Sequence, residues 1–183
     1  MEFIDPKANE YVEQFSNATP AYLKSMYEQT TQQHPHAHLQ SNWNQGGFLT
    51  FLSKMKHPKC IVEIGTFTGF SALCLAEGLQ IDGLLHTYEI READALAARS
   101  HFDASPFKDQ IITHVGDAKE LLKTFNQPID IAFIDADKTG YIEYYKIVKP
   151  LLQDNGIIIV DNVLFHGEVL PGATPGKSGK AIQ

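Results

Sequence analysis

Residues 61–71 are Ile61-Val62-Glu63-Ile64-Gly65-Thr66-Phe67-Thr68-Gly69-Phe70-Ser71, in which a β-branched run leads into two glycines four positions apart and then into a helical stretch. This succession of strand, glycine turn and helix is typical of a βαβ unit in a parallel sheet. Ligands of open parallel sheets bind outside the carboxyl ends of the strands. The turn from Gly65 to Gly69 is therefore the natural place for a small ligand, although a glycine pair at this spacing also fits a plain tight turn.

Four more runs rich in apolar and β-branched residues follow along the chain, separated by stretches with apolar residues at helical spacing. The expected strands are residues 61–64, 84–88, 111–115, 129–134 and 157–160, and the expected helices between them are residues 71–77, 91–102, 118–125 and 139–148. Several runs are continuously apolar, as strands covered by helices on both faces are. The predicted fold class is α/β, with a mostly parallel sheet flanked by helices.

The two ends of the chain differ from this core in composition. Residues 1–59 contain three helical stretches, near residues 9–15, 21–33 and 46–55, and Thr19-Pro20 is a favourable start for the second. Residues 171–180 are rich in glycine and proline, which is typical of a mobile loop. A length of 183 residues fits a single domain. We expect a helical cap (residues 1–59), a core (60–170) and a flexible tail (171–183).

Composition and charge argue against several classes of protein. Apolar residues make up 43% and charged residues 20% of the chain, which is typical of an ordered globular domain. The formal net charge of −7 argues against a nucleic-acid partner. No apolar run reaches the roughly 20 residues of a membrane span, and the N-terminus lacks a secretory signal. Cys60 and Cys74 fall in apolar stretches without a disulfide framework, which indicates a reducing compartment. We therefore expect a cytoplasmic protein, and we expect no membrane partner.

Polar residues at the ends of the first three strands suggest a nucleoside without phosphates as the ligand. The glycine turn lacks the G-x-G-x-x-G spacing of dinucleotide sites and the Gly-Lys-Ser/Thr of phosphate-binding loops. Glu89 ends the second strand, where a carboxylate can accept hydrogen bonds from both ribose hydroxyls. Gly116-Asp117-Ala118 ends the third and can meet an adenine edge. S-adenosylmethionine (SAM) is a ligand of this kind.

Oxygen donors end the fourth and fifth strands. Asp135 follows the fourth strand, and Asp161 and Asn162 follow the fifth. Carboxylate and amide oxygens are suitable ligands for Mg²⁺, Mn²⁺ or Ca²⁺, not for a soft metal. The alternative is that these are ordinary polar residues that end strands.

Taken in order, residues 63–71, Glu89, residues 116–118, residues 133–138 and residues 160–164 resemble the cation-dependent, SAM-dependent O-methyltransferases of the caffeoyl-CoA and catechol type. The resemblance extends over about residues 41–169. It implies a Rossmann-like methyltransferase fold, and the residues that it places at the cofactor are Ser41, Glu63, Gly65, Thr66 and Ser71 on the methionine half, Glu89 on the ribose, Asp117 and Ala118 on the adenine, and Asp135 and Asp137 facing the cofactor.

The same resemblance implies the chemistry. Asp135, Asp161 and Asn162 would hold a divalent cation, with Mg²⁺ as the first candidate, and the cation would bind both oxygens of a vicinal diol. Lys138 would be the general base, and Asp135 a second catalytic residue. One hydroxyl of a phenolic, catechol-like small molecule would receive the methyl group. The first interpretation of Tyr144 is that it packs as part of its helix. It is also a candidate contact for the substrate.

Two alternatives remain open. The acceptor could lack a vicinal diol, or the chain could bind the cofactor without doing chemistry. The second alternative is motivated by the resemblance, because such proteins usually continue with a helix and two antiparallel strands, which do not follow before Gln183. We therefore expect an exposed edge beside the fifth strand. The resemblance also implies a homodimer.

Three histidines in residues 34–38, His34, His36 and His38, raise the possibility of a zinc site. Pro35 breaks the helical geometry, and no acidic residue or cysteine lies close by in sequence. We interpret this segment as a loop that leads to Ser41.

Overall fold

A computed structural model describes residues 5–16 and 20–183. The helices and strands of these residues are, in order, α1 (Pro6–Phe15), α2 (Ala21–Gln33), α3 (Trp43–Lys56), β1 (Cys60–Ile64), α4 (Phe70–Ala76), β2 (Leu84–Glu89), α5 (Glu92–Asp103), β3 (Ile111–Val115), α6 (Ala118–Leu121), β4 (Ile129–Ile134), α7 (Tyr141–Val148), β5 (Leu152–Val160) and α8 (Lys177–Ile182). Among them there is no helix with both the length and the apolar character needed to cross a membrane.

The five strands form one parallel sheet in the order β3-β2-β1-β4-β5, which confirms the predicted α/β class. The chain winds outward in one direction from β1 to β3 and then returns to place β4 on the other side of β1. The crevice between β1 and β4 is the switch point at which doubly wound sheets bind their ligands. The fold thus brings the ends of β1 and β4 together at a natural binding position.

Two apolar cores cover the two faces of the sheet. On one face, Ile61 of β1 and Phe133 of β4 pack with side chains of α2, α3, α4 and α5. On the other, Val62 and Ile64 of β1 pack with side chains of α6 and α7. Because neighbouring strand residues point to opposite faces, a strand covered on both sides is expected to be mostly apolar, and in β1 the exception is the buried Glu63.

The three helices predicted near residues 9–15, 21–33 and 46–55 are present as α1, α2 and α3. Helix α3 begins earlier than predicted, because the Asn42 side chain caps it by accepting a 2.9 Å hydrogen bond from the Gln45 amide. The Trp43 ring stacks on Phe70 with 5.6 Å between ring centres, which joins the cap to the start of α4. The predicted capping residue Thr19 lies outside the described residues.

Strand β5 begins before its predicted start. Ile129 of β4 pairs with Leu152 and Ile131 pairs with Ile157, so residues 153–156 form an irregularity between two paired segments. Polar side chains at 153–155 are exposed there and hid the strand from a pattern of apolar residues. Within the part of the chain that the structure describes, no antiparallel strand pairs with β5.

The interpretation of residues 171–180 as a loop is wrong in its second half, because α8 occupies Lys177–Ile182. The Glu168 carboxylate accepts a 2.8 Å hydrogen bond from the Gly176 amide at the start of this helix. Gly179 lies so close to Glu168 that an added methyl group would clash with it. The helix thus depends on a tertiary contact that local composition does not reveal. The flexibility of residues 171–183 stays a prediction.

Candidate active site

A cavity of about 1260 Å³ opens at the carboxyl ends of the strands. Backbone hydrogen bonds continue the sheet by one residue past the strands, from Gly65 N to Tyr88 O (3.0 Å), from Asp135 N to Ile64 O (2.9 Å) and from Asp161 N to Ile134 O (3.0 Å). The three residues that follow β1, β4 and β5 therefore lie side by side at the ends of neighbouring strands, as the sequence predicts; they are Gly65, Asp135 and Asp161.

The glycine turn is packed closely against the backbone after β4 on one side and against α5 on the other. Gly65 has a φ of 101°, and a Cβ atom there would lie 1.9 Å from the carbonyl oxygen of Asp135. Gly69 has a φ of 93°, and its Cβ would lie 2.5 Å from the Phe102 ring. Both positions need a left-handed backbone and close contact, which only glycine provides. The turn is thus a built feature of the cavity wall, together with Thr66 and Ser71.

The Glu89 carboxylate is fixed at the cavity wall by backbone donors. Its Oε2 accepts a 2.7 Å hydrogen bond from the Phe67 amide, and its Oε1 accepts one of 3.0 Å from the Arg91 amide. Because the side chain is 5% exposed, these amides provide much of the compensation for burying a charge. The carboxylate is therefore held in one orientation, as recognition of a vicinal diol requires.

Glu63 is not among the side chains that line the cavity. It is fully buried beneath the turn, where Ser71 Oγ donates to its Oε1 at 2.6 Å and Thr87 Oγ1 donates to its Oε2 at 2.5 Å. The Glu63 pKa is raised to about 8, mainly by burial and to a smaller extent by the carboxylates of Asp135 and Glu89, while the two hydrogen bonds oppose the shift. The described geometry makes Glu63 a support for Ser71 and β2.

The residues predicted to contact adenine, Asp117 and Ala118, lie where β3 meets α6. Asp117 caps α6, since its Oδ1 accepts a 2.9 Å hydrogen bond from the Lys119 amide. The Gly116 amide donates to Glu89 O at 2.8 Å, which holds this turn beside β2. Asp117 and the buried Ala118 line the cavity, and so does Tyr88, which sequence reasoning missed. The Tyr88 ring stacks on His114 at 4.5 Å, a pairing across β2 and β3.

Asp135 and Asp161 form an acidic pair at the tips of β4 and β5. Burial and the nearby Asp161 carboxylate together raise the Asp135 pKa to about 6, whereas Lys138 opposes the shift. Asp161 Oδ1 accepts a 2.6 Å hydrogen bond from the amide of Asn162, which has a left-handed φ of 55°. Two crowded carboxylates, with the side chain of Asn162 next in sequence, match the preference of a hard divalent cation, whose charge would relieve their repulsion. The described residues contain no cluster of three or more His, Cys, Asp and Glu side chains suited to a metal, so a cation here depends on this mixed set.

Lys138 lies between the acidic pair and helix α7. Its side chain is 10% exposed, its Nζ lies 3.1 Å from Asp135 Oδ1, and it donates a hydrogen bond to the Tyr141 hydroxyl. The Tyr141 hydroxyl in turn donates to the Asp161 backbone carbonyl at 2.9 Å. The amine is therefore held at the edge of the acidic pair, on the wall of the same cavity as the glycine turn.

Tyr144 and Asp137 contact each other directly. The Tyr144 hydroxyl donates to Asp137 Oδ1 at 2.5 Å, and Thr139 Oγ1 donates to Asp137 Oδ2 at 2.8 Å. Tyr144 is buried but reaches the cavity wall. The structure thus gives its hydroxyl a role in orienting Asp137, and its contact with a substrate stays a prediction.

Gln45 is a second residue that sequence reasoning missed. Its side-chain amide donates a hydrogen bond to Asp161 Oδ2, and the residue lines the cavity near Ser41. The partners are 116 positions apart in the chain, so no local pattern marks them. The only available signal is that Gln45 lies in the first turn of a capped helix that follows Ser41.

Comparisons with known proteins agree on one family. A profile of the O-methyltransferase family matches residues 13–182. The catechol O-methyltransferase of Niastella koreensis is 34% identical over 131 residues, which are 69% of this chain and 59% of that protein. The caffeoyl-CoA O-methyltransferase of Stellaria longipes is 30% identical over 154 residues, which are 81% of this chain and 64% of that protein. The chain therefore spans less than two thirds of either relative. The solved structure of the SAH-bound methyltransferase of Podospora anserina matches with a TM-score of 0.89 at 31% identity and covers 100% of this chain and 85% of that one.

Proposed function

The chain belongs to the O-methyltransferase family, and from this premise we propose that it transfers the methyl group of SAM to one hydroxyl of a catechol-like small molecule, assisted by a divalent cation. The observation that carries the proposal is the placement of Asp135, Asp161 and Lys138 on the wall of the same cavity as the Gly65 turn. A methyl donor and an acidic, lysine-flanked acceptor site would then face each other.

The cofactor site extends along the tips of β1, β2 and β3. Glu89 would accept hydrogen bonds from the ribose, Asp117 and Ala118 would contact the adenine, and Asp137 would face the cofactor. The methionine half would lie along the turn, against Ser41, Gly65, Thr66 and Ser71. Bound SAM supplies an electrophilic methyl group on a sulfonium centre. A neighbour of 31% identity was solved with SAH, S-adenosylhomocysteine, which supports a cofactor of this type.

The acceptor side is formed by the acidic pair. Asp135, Asp161 and Asn162 provide the oxygen ligands, with Mg²⁺ as the first candidate and Mn²⁺ or Ca²⁺ as alternatives. A bound divalent cation acts as a Lewis acid that lowers the pKa of a coordinated hydroxyl. Lys138, whose Nζ lies 3.1 Å from Asp135 Oδ1 at the edge of the proposed cation site, would accept the proton of the attacking hydroxyl in its neutral form, in which the amine has a free lone pair. The chain's main contribution is alignment of the two reactants.

The decisive experiment is calorimetric titration of the 183-residue chain with SAH, with and without Mg²⁺, followed by methyl transfer to a panel of catechols. We expect SAH binding and Mg²⁺-stimulated transfer, and we expect Asp161→Ala to abolish the stimulation while SAH still binds. Full activity of Asp161→Ala in the presence of a chelator would overturn the metal-assisted mechanism.

Other outcomes of the same experiment select the alternatives. Turnover of a mono-hydroxyl acceptor that is insensitive to chelator would favour an enzyme for a non-catechol substrate. Binding of SAH without turnover of any acceptor would favour a cofactor-binding protein without chemistry. Absence of SAH binding would overturn the proposal as a whole.

We also propose that the protein is a homodimer located in the cytoplasm. Support for self-association comes from exposed apolar side chains on the cap, which are Tyr11 and Phe15 on α1 and Phe48, Phe51 and Met55 on α3. The molar mass measured by light scattering tests the dimer. The proposed location is supported by Cys60 and Cys74, which are buried and unpaired and therefore suit a reducing compartment.

A further inference from the structure

His34, one of the three histidines in residues 34–38, has hydrogen-bond partners at both ring nitrogens, which define its tautomer. Its Nδ1 accepts a 3.1 Å hydrogen bond from the His36 backbone amide. Because a backbone amide can only donate, the proton of the neutral ring must be on Nε2. Nε2 lies 3.1 Å from Asp94 Oδ1 and therefore donates to it. The end of α2 is thus joined to the first turn of α5.

Asp94 also contacts Arg91 through its second carboxylate oxygen. The Asp94 side chain is 8% exposed, and its Oδ2 lies 2.6 Å from Arg91 Nε in an ion pair. The same Nε lies 3.6 Å from Glu89 Oε1, which also accepts the Arg91 amide. One guanidinium group is therefore placed between two buried carboxylates, and one of these is the proposed ribose ligand.

Phe67, in the glycine turn, is contacted by both ends of this network. The His34 ring meets the Phe67 ring edge to face, with 4.6 Å between centres, and the Arg91 guanidinium lies 5.6 Å from the Phe67 ring centre. Phe67 has a φ of 49°, which bulky residues adopt only where their surroundings hold them. In this conformation its amide donates to Glu89 Oε2.

We propose that His34 is a positioning residue for the cofactor, which acts through Asp94 and Arg91 to hold Glu89 and the Phe67 turn in the geometry that receives the ribose. This inference rests on the proposed function. It gives the helical cap a part in cofactor affinity, although His34 itself is outside the set of residues that line the cavity. The proposal predicts an effect on binding of the cofactor and little effect on the chemical step.

The test uses the 183-residue chain, with SAH as the probe in calorimetry, and three variants. His34→Phe keeps the ring against Phe67 but removes the donor to Asp94. His34→Gln removes the ring but keeps an amide that can donate to Asp94. His36→Phe is the matched control, because His36 is exposed, its 5.9 Å ring contact with His34 can be kept by phenylalanine, and its backbone amide still donates to His34 Nδ1.

We expect SAH to bind His34→Phe about tenfold more weakly, which corresponds to about 1.4 kcal/mol. The SAH affinities of His34→Gln and His36→Phe should stay within about twofold of that of the unmodified chain, since the donor to Asp94 is replaced in the first variant and retained in the second. In assays with SAM, His34→Phe should raise KM and leave kcat nearly unchanged, a split that a general loss of folded protein would not produce.

Each remaining outcome is decisive. If the unmodified chain binds SAH and His34→Phe binds it equally well, the positioning role is wrong while the proposed function stands. Equal weakening by His34→Phe and His34→Gln would show that a restored donor to Asp94 does not restore binding, and would also overturn the inference. If the unmodified chain fails to bind SAH, both proposals fall. Should His34→Phe not fold, Asp94→Asn removes the same charged acceptor and is expected to weaken SAH binding to a similar degree.

Discussion

Lys138 has two close partners, the Asp135 carboxylate and the Tyr141 hydroxyl, which hold its amine at the edge of the acidic pair. If this amine is the proton acceptor, Lys138→Met should lower kcat by about 100-fold or more, the usual contribution of general base catalysis. The affinity for SAH should stay nearly unchanged, because Lys138 itself is not among the proposed cofactor contacts.

The control for this experiment is Lys146→Met, which removes an exposed lysine on α7, the helix that follows Lys138. It is expected to retain full activity. A Lys138→Met enzyme that keeps its kcat would exclude Lys138 as the base, and a parallel loss of SAH binding would indicate a disturbed fold instead.

Some residues of the site could be predicted from the sequence, and others could not. Asp135 and Asp161 end neighbouring parallel strands, so the topology alone places them together. Gln45 contacts Asp161 from a helix 116 positions earlier, and His34 contacts Asp94 across 60 positions. These contacts depend on how the cap packs on the sheet, which strand and helix patterns do not specify.

Two glycines offer a comparison between a constrained and an unconstrained position. At Gly65, in the turn after β1, an added methyl group would meet the Asp135 carbonyl, whereas at Gly47, on α3, it would meet nothing within 4 Å. Gly65→Ala should destabilise the protein by at least about 2 kcal/mol, because left-handed strain and a clash add together.

Gly47→Ala should instead stabilise the fold by about 0.5–1 kcal/mol, since alanine is the better residue inside a helix. Urea unfolding of both variants measures the difference in the free energy of unfolding. Equal effects of the two substitutions would contradict the close packing of the turn on Asp135.

At the level of helices and strands, the sequence was most informative where apolar spacing is regular. All five strands were predicted, because buried parallel strands are short and apolar, and the helices between them follow the same logic. Strand β5 was truncated in the prediction, since residues 153–156 are polar or glycine and interrupt the pattern. Helix α8 was missed because its contact with Glu168 outweighs a glycine-rich composition.

The free energy of unfolding of the whole molecule is expected to depend on pH through a contacting pair of histidines, His86 on β2 and His114 on β3. His86 Nδ1 lies 3.1 Å from His114 Nε2, and the two rings stack at 5.4 Å. Burial, followed by the charge of His114, lowers the His86 pKa to about 4, against roughly 6.5 in an unfolded chain. Between these values the unfolded chain takes up a proton that the folded protein does not.

The stabilising contribution of neutral His86 is therefore complete above pH of about 6.5 and is lost as the pH falls toward 4. His86→Phe removes this titration, so its loss of stability between pH 7.5 and pH 5 should be about 1 kcal/mol smaller than that of the unmodified chain. Urea unfolding at the two pH values is the measurement, with His36→Phe as the control. An identical pH dependence in His86→Phe would exclude His86 as a source of acid sensitivity.

The stacking of Trp43 on Phe70 has a practical consequence. Trp43 is the single tryptophan of the chain, and Phe70 begins the helix that follows the glycine turn and lines the cavity. The protein therefore contains one tryptophan fluorophore, located where the cap meets the start of α4 after the glycine turn. Separation of the cap from the sheet would move this indole into water and shift its emission to longer wavelength, so the docking of the cap can be followed optically without an attached dye.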